Sequence, residues 1–291
     1  MRTLLALACT ATLGGCIVIA TPTETGGKDF QVHTPFNSQA IDGNGVAARE
    51  VRDLRTLAAV DGLNVGGSMI VDVRVGATPS LVVEGDSNLL PYVKTETRGS
   101  SLYIGTERRL RSNTPLRVTY TVPQLTHLHS GGSGHVTVRD LKGGTLSVRL
   151  GGSGVARLAG EVAEFDARVS GSGKIEAGEL RARNAEVNVS GSGGVVLGQV
   201  RGDYLRSQIS GSGGVQANGA VRSLNVRVSG SGSADLTGVS TDQGDLASSG
   251  SGGISATVRQ SVYARTSGSG PIRVYGQPAQ RDVGGRGVQM L

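Results

Sequence analysis

The sequence contains no tryptophan, and its aromatic residues amount to three phenylalanines and six tyrosines in 291 residues. A core centred on aromatic rings is therefore not expected, and small aliphatic and β-branched side chains must pack the interior. The same scarcity weighs against nucleic-acid binding, which uses a focused basic patch and aromatic rings for stacking. The net charge is +6, but the basic residues are dispersed, with one cluster, "TERRLR", at 106–111. We expect solvated arginines on strand faces and no nucleic-acid partner.

Cysteine is scarce as well, since Cys9 and Cys16 are the only two and both lie in the opening "MRTLLALACTATLGGC". The apolar stretch after Arg2 is too short to span a membrane, which is typical of a secretory signal. Leu13, two glycines and Cys16 resemble the bacterial lipobox, in which the cysteine is diacylated and becomes the mature N-terminus. Cys9 then leaves with the signal, and no disulfide forms within the mature chain. Ile17, rather than an aspartate, follows Cys16, which favours the outer membrane.

These observations divide the chain. Residues 1–15 are predicted to be a lipoprotein signal peptide, and residues 16–45 a lipidated N-terminus and a flexible, Gly- and Pro-containing tether. Residues 46–278 form the folded domain, with repeats from about residue 126, and residues 279–291 are a C-terminal tail. The lipid anchor makes the membrane a partner.

Glycine is abundant, with 47 residues, and much of it occurs in a recurring Gly-Ser-Gly. The first glycines of these motifs are Gly132, Gly152, Gly171, Gly191, Gly211, Gly230, Gly250 and Gly268, separated by 20, 19, 20, 20, 19, 20 and 18 residues. A short, near-constant period is typical of a solenoid with one structural unit per coil.

Polar and apolar residues alternate around each motif. Numbered from the first glycine, positions −4, −2, +4 and +6 are mostly Val, Leu, Ile or Ala, whereas positions −3 and +5 are mostly polar. A period of two puts these two sets on opposite faces of a strand. The sequence therefore predicts an all-β, parallel β-solenoid with coils of about 20 residues, an apolar lumen and a Gly-Ser-Gly corner in each coil. The corner glycines are expected to face inward and to use backbone angles denied to other residues. The side opposite the corner, where the spacing varies, is expected to be loop-like.

Familiar catalytic and metal motifs do not fit. The "SGSGK" at 170–174 lacks the glycine and the hydroxyl residue that a phosphate loop needs at positions 168 and 175. His33, His127, His129 and His135 lack a companion carboxylate, so we predict no metal and no cofactor. Asp166 and Glu186 share position −5 and are expected to be stacked neighbours, and Arg168 and Arg206 are expected to neutralise that pair. We therefore predict that the protein is not an enzyme.

The polar column at position −3 is the candidate binding face. Its members are Arg149, Arg168, Asn188, Gln208, Arg227 and Arg265. Arginine binds phosphate and carboxylate groups bidentately, so acidic glycans or lipopolysaccharide phosphates are candidate ligands. The alternative is that these long polar side chains only keep the solenoid soluble.

The region before the repeats resembles the head GIN domain family (DUF2807), which carries the label "putative auto-transporter adhesin". The matching stretches are "VDGLNVGGSMIVDVRVGATPSLVVEGDSNLLPYVKTE" at 60–96, "VTYTVPQLTHLHSGGSG" at 118–134 and "SGSGPIRVYGQP" at 267–278. The resemblance implies a right-handed single-stranded β-helix on the bacterial envelope, without catalytic residues to transfer.

Together these observations predict an outer-membrane lipoprotein, periplasmic or surface-facing, whose β-solenoid is a non-enzymatic adhesion or structural module. Its expected partners are envelope or host glycans, or other envelope proteins. Two alternatives stay open, a polysaccharide lyase or hydrolase on the same fold and a pure spacer or assembly module.

Overall fold

A computed structural model describes residues 19–20, 32–33, 40–52 and 60–291. The described residues form strands and one short 3₁₀-helix, Leu90–Tyr92. The strands are β1 (Ile19–Ala20), β2 (Val32–His33), β3 (Ile41–Asp42), β4 (Ala47–Arg52), β5 (Gly62–Val65), β6 (Ile70–Val75), β7 (Ser80–Asp86), β8 (Val93–Arg98), β9 (Ser101–Thr106), β10 (Leu110–Arg111), β11 (Arg117–Val122), β12 (His127–Ser130), β13 (His135–Leu150), β14 (Val155–Val169), β15 (Lys174–Val189), β16 (Gly194–Ile209), β17 (Gly214–Val228), β18 (Ser233–Ser248), β19 (Ile254–Thr266), β20 (Ile272–Tyr275), β21 (Gln280–Gly284) and β22 (Val288–Met290). In this part of the chain no helix is long and apolar enough to cross a bilayer.

Strands β13 to β19 each run from one corner to the next, and each pairs in parallel with the strand one coil above it. Equivalent residues stack: Val136 pairs with Ala156, Ala156 with Ile175, and Ile175 with Val195. The chain is therefore the predicted parallel β-solenoid, with about 20 residues per coil.

The lumen is lined by the apolar columns that the sequence predicts. Every residue at positions −4, +4 and +6 is at most 4% exposed. Position −2 is buried as far as Ser248 and ends at the half-buried Thr266. Val, Leu, Ile and Ala fill this lumen because their stacked side chains bury apolar area without a polar group to satisfy.

The corner glycines are required for a different reason from the one expected. None of them has a positive φ among the described residues, so backbone freedom is not what selects glycine. A Cβ atom built on the first glycine of each corner would lie between 1.8 and 2.2 Å from a carbonyl oxygen of the coil beneath it. The second glycine is buried at every corner, as predicted, whereas the first is half-buried or exposed. Glycine is needed because successive coils approach closely along the rod axis.

The side opposite the corner is not loop-like, and that expectation is wrong. Each coil stays in strand conformation there, and the extra residues appear as register shifts, such as those between Val138 and Leu141 and between Ala177 and Arg181. A β-bulge accommodates an unequal number of residues while the flanking ladder hydrogen bonds remain. This is how 18-, 19- and 20-residue coils stack in one rod.

Both ends of the solenoid are covered by strands that the repeat does not contain. At the N-terminal end, β5 and β6 pair in parallel with β12 and β13, and β4, β7 and β8 add antiparallel pairs. At the C-terminal end, β21 and β22 pair with β19 and β20. Residues 279–291, which the sequence leaves as a tail, thus extend the solenoid.

Candidate functional site

Three mostly outward columns on the strand segment before each corner form a continuous surface, which we call the polar face; two of their members, Ser147 and Asn184, are buried. They occupy positions −7, −5 and −3. Position −7 holds Thr145, Glu164, Asn184, Tyr204, Ser223, Gln243, Ser261 and Gln280; position −5 holds Ser147, Asp166, Glu186, Arg206, Asn225, Asp245, Tyr263 and Asp282; position −3 holds Arg149, Arg168, Asn188, Gln208, Arg227, Ala247 and Arg265. Parallel in-register pairing places residues that are separated by 18 to 20 positions in the sequence side by side on neighbouring coils.

The candidate column at position −3 is brought together as a ladder. In the register of neighbouring strands, Arg149 lies opposite Arg168, Arg168 opposite Asn188, Asn188 opposite Gln208, and Gln208 opposite Arg227. Arg265 is separated from that run by Ala247.

The arginines of this column are mostly engaged by carboxylates of position −5. Arg168 lies 3.2 Å from Asp166, and Arg227 lies 3.2 Å from Asp245. Arg265 lies 2.6 Å from Asp282. Arg149 has no ion pair within the described part of the chain. Since each pair cancels its own charge, the polar face as a whole is not a basic strip.

A hydrogen-bond network crosses three coils on the same face. The Nδ2 atom of Asn184 donates to Glu164 at 2.8 Å, and its Oδ1 atom accepts from the backbone N–H groups of Asp203, at 2.8 Å, and Tyr204, at 3.1 Å. The Tyr204 hydroxyl donates to Glu164 at 2.8 Å. That hydrogen bond, with burial as the next cause, raises the pKa of Tyr204. The Asn184 amide replaces ladder bonds where the register shifts after Ala182.

Two tyrosine rings are presented on the polar face. Tyr263 is 46% exposed, and the Arg265 guanidinium lies 4.3 Å from its ring centroid. Tyr204 is half-buried, with the Arg206 guanidinium at 4.6 Å. A guanidinium stacked on one side of a ring holds the ring in place. The Tyr204 hydroxyl is already used by Glu164, so Tyr263 is the more accessible of the two rings.

The carboxylates Asp166 and Glu186 are neighbours in register, as the columns predict. Asp166 accepts from Ser147 at 3.3 Å besides its pairing with Arg168, and Glu186 accepts from Asn188 at 3.2 Å. Arg168 therefore neutralises Asp166 as expected. The expectation for Arg206 is wrong, because its guanidinium stacks on Tyr204 and Glu186 is held by the neutral Asn188 amide.

Serine hydroxyls run along the corner beside the polar face. Every corner has an exposed serine at position +1, from Ser133 to Ser269. From Ser170 onward, position −1 is also an exposed serine. The corner therefore carries two parallel rows of hydroxyl groups, repeated once per coil.

Among the described residues, His127, His129 and His135 do not form a metal centre. His127 Nδ1 lies 2.7 Å from the Thr126 hydroxyl, which donates to Asp61 at 2.8 Å. Over residues 40–52 and 60–291 no group of three or more His, Cys, Asp and Glu side chains is placed to hold a metal ion. The side chain of His33 and the predicted lipidation site, Cys16, lie outside the described residues.

Sequence reasoning assigned the binding face to position −3, noted only Asp166 and Glu186 of position −5, and missed position −7. The signal was present, because the same period-two alternation continues upstream of position −3. What the sequence did not reveal is which arginine meets which carboxylate, since Arg168 pairs within its own coil and Arg265 pairs with Asp282 of the next.

The chain is similar to known proteins along most of its length. Residues 59–198 and 177–278 match the family described as "Putative auto-transporter adhesin, head GIN domain". Crystal structures with the same fold include a "putative adhesin" of Parabacteroides merdae (21% identity, TM-score 0.66, 87% of this chain and 99% of that one). A "putative lipid binding protein" of Parabacteroides distasonis (22%, 0.63, 87% and 100%) and a "putative adhesin" of the same species (21%, 0.64, 87% and 100%) are similar too. No functionally curated protein matches.

Proposed function

Since this chain belongs to the head GIN domain family, we propose that it is a non-enzymatic binding module, displayed on the bacterial envelope, that holds neutral saccharides on the polar face. The observation that carries the proposal is the stacking of planar polar side chains, with three arginines paired to carboxylates of the face, beside the exposed ring of Tyr263 and the half-buried ring of Tyr204. The family description supports a role in adhesion.

The paired charges favour a neutral ligand. The carboxylates of Asp166, Asp245 and Asp282 each hold an arginine of position −3, so an anionic ligand meets little net attraction. The carboxylates and guanidinium groups still have free lone pairs and N–H groups, and Asn and Gln side chains offer both donors and acceptors. Sugar hydroxyl groups need both, so such a surface suits a polyhydroxylated ligand.

The repeat favours a polymer. Equivalent polar groups recur at about 4.8 Å along the rod. A chain of sugar units lying along the face therefore meets the same kind of group several times. Weak contacts at successive coils add their free energies once the first unit is bound, because the later units bind intramolecularly.

A glycan array of neutral oligosaccharides and their acidic counterparts, probed with the processed protein, tests the proposal. Tyr263→Ala and Gln208→Ala remove a ring and an amide from the polar face, and we expect each to weaken binding several-fold. Tyr275→Ala and Gln216→Ala are matched controls, because these exposed residues lie on the strand segment after the corner, at positions +7 and +5.

The expected result is binding of neutral members that both polar-face variants weaken and both controls retain. Equal losses in Tyr263→Ala and Tyr275→Ala would contradict the assignment of the face. Release of shortened saccharides from bound array members would contradict the non-enzymatic part of the proposal.

We also propose that Cys16 carries the lipid that anchors the protein, with the outer membrane as its location. The support is the "LGGC" at 13–16 behind a basic start and a short apolar stretch. Cys16→Ser should abolish incorporation of labelled fatty acid and release the protein from the membrane fraction, whereas Cys9→Ser should change neither. Persistent labelling of Cys16→Ser would refute the anchor.

A further inference from the structure

A cavity of about 550 Å³ lies at the first corner, at the N-terminal end of the solenoid, and none of its lining residues belongs to the polar face. One wall is the turn between β5 and β6 together with the first Gly-Ser-Gly, at Gly67, Ser68, Gly132 and Ser133. The other wall is the segment from Thr106 to Leu116, which passes over that turn as it links β9 to β11. The volume lies in the range of small-molecule sites.

The lining of this cavity is basic and rich in hydroxyl groups. Two arginines, Arg109 and Arg111, line it, and none of its lining residues is acidic. Its hydroxyl-bearing residues are Ser68, Thr106, Ser112, Thr114 and Ser133. Neither arginine has an ion pair with another described residue. This is the opposite of the polar face, where carboxylates engage most of the arginines.

Three carboxylates lie near this cavity without lining it. Asp42 on β3 is in register with Arg111, and no ion pair joins the two among the described residues. Asp86 is buried, and the Ser112 hydroxyl donates to it at 2.5 Å. Glu107 pairs with Lys94 at 3.1 Å. The two arginines therefore have no ion-paired carboxylate among the described residues. The charge of Asp42 lies in register with Arg111, and the hydrogen bond from Ser112 leaves the charge of Asp86 in place.

The backbone that carries the arginines is fixed. The N–H of Ile41 donates to the carbonyl of Arg109 at 2.9 Å, and the N–H of Gly43 donates to that of Arg111 at 2.8 Å. The segment is tied down again where the N–H of Ile70 donates to Leu116 at 2.9 Å. Because the backbone is already held, binding need not order this segment, and the conformational cost that remains is that of fixing the two exposed arginine side chains.

We propose that this cavity binds a carboxylate or phosphate group carried by a small polar molecule such as a sugar. The guanidinium groups of Arg109 and Arg111 take the anionic oxygens, to which arginine donates bidentately. The hydroxyl groups of Ser68 and Ser133, on the opposite wall, donate to the remaining oxygens of the ligand.

Calorimetric titration of the processed protein with glucose 6-phosphate, glucuronate and glucose tests this site. We expect saturable binding of at least one anion, weakened by added salt, and no binding of glucose. Arg109→Gln and Arg111→Gln should each weaken the anion at least about tenfold, since a hydrogen bond to a charged group is lost. Arg108→Gln is the matched control, because Arg108 is an exposed neighbour outside the cavity lining.

Binding of glucose 6-phosphate alone identifies a phosphate site, and binding of glucuronate alone identifies a carboxylate site. Failure of both anions to bind the unaltered protein would overturn the proposal, as would an equal loss in Arg108→Gln and Arg109→Gln. Tyr263→Ala should leave the titration unchanged. The proposal for this cavity and the proposal for the polar face can therefore be refuted independently of each other.

Discussion

The clearest prediction concerns the close approach of coils at the corner, tested by Gly211→Ala. A Cβ atom at this position would lie 2.0 Å from the carbonyl oxygen of Gly191, where ordinary contact begins at 3.4 Å. The same oxygen accepts the N–H groups of Ser212 and Gly213, both at 3.2 Å. The coils must therefore separate at the point where two inter-coil hydrogen bonds are made.

The expected cost has two parts. Overpacking costs about 1–3 kcal/mol, and two weakened hydrogen bonds cost about 0.5–1.5 kcal/mol each. We therefore expect the free energy of unfolding to fall by about 2–6 kcal/mol, a large share of the roughly 5–15 kcal/mol that stabilises a typical domain.

Urea unfolding followed by far-ultraviolet circular dichroism measures this loss. Gly178→Ala is the control, because a Cβ atom there meets nothing within 4 Å and its φ is not positive. It should be neutral or stabilising by up to about 1 kcal/mol. If Gly211→Ala is as stable as the unaltered protein, the close-approach explanation of the corner is wrong.

Three further substitutions test the interior. Asn184→Ala should lower the free energy of unfolding by about 2–4 kcal/mol in the same assay, because two backbone N–H groups lose their acceptor and Glu164 loses its amide donor while keeping the Tyr204 hydroxyl; an unchanged midpoint would contradict this. Ser207→Val should stabilise by about 1 kcal/mol, since the buried Ser207 hydroxyl has no partner among the described residues and valine adds apolar area; destabilisation would show that the lumen has no room. Burial raises the pKa of Tyr120 from 10.0 to about 12. Between these pH values the unfolded state releases the hydroxyl proton while the folded state keeps it. The contribution to the free energy of unfolding is therefore complete below pH 10 and is lost as the pH rises through 12. When the pH is raised from about 9 to 11, the free energy of unfolding of Tyr120→Phe should therefore fall by about 1.4 kcal/mol less than that of the unaltered protein. Equal decreases in the two proteins would refute the burial effect.

The repeat region could be predicted from sequence because one rule governs it. Period-two alternation fixed which residues line the lumen, and the glycine period fixed which residues stack. The rule fails at Ser207, a polar residue in an apolar column, since alternation describes the side of a strand and says nothing of the hydrogen bonds available there.

The features that depend on contacts between coils could not be read in advance. The glycine requirement comes from a carbonyl oxygen about 20 residues away in sequence, which no local pattern encodes. The cavity at Arg109 and Arg111 needs the segment after β9 to pass over the turn at Gly67, and that crossing depends on β10 pairing with β3. The sequence showed the basic cluster at 106–111 but not what it faces.

The comparison of Tyr263→Ala with Tyr275→Ala on the neutral half of the glycan array tests the central claim most directly. Both substitutions remove an exposed tyrosine, 46% and 37% exposed, from the same end of the rod, so they differ mainly in which outward surface loses a ring. We predict that the array signal falls several-fold for Tyr263→Ala and stays at the unaltered level for Tyr275→Ala. Equal signals from the two variants would contradict the assignment of saccharide binding to the polar face.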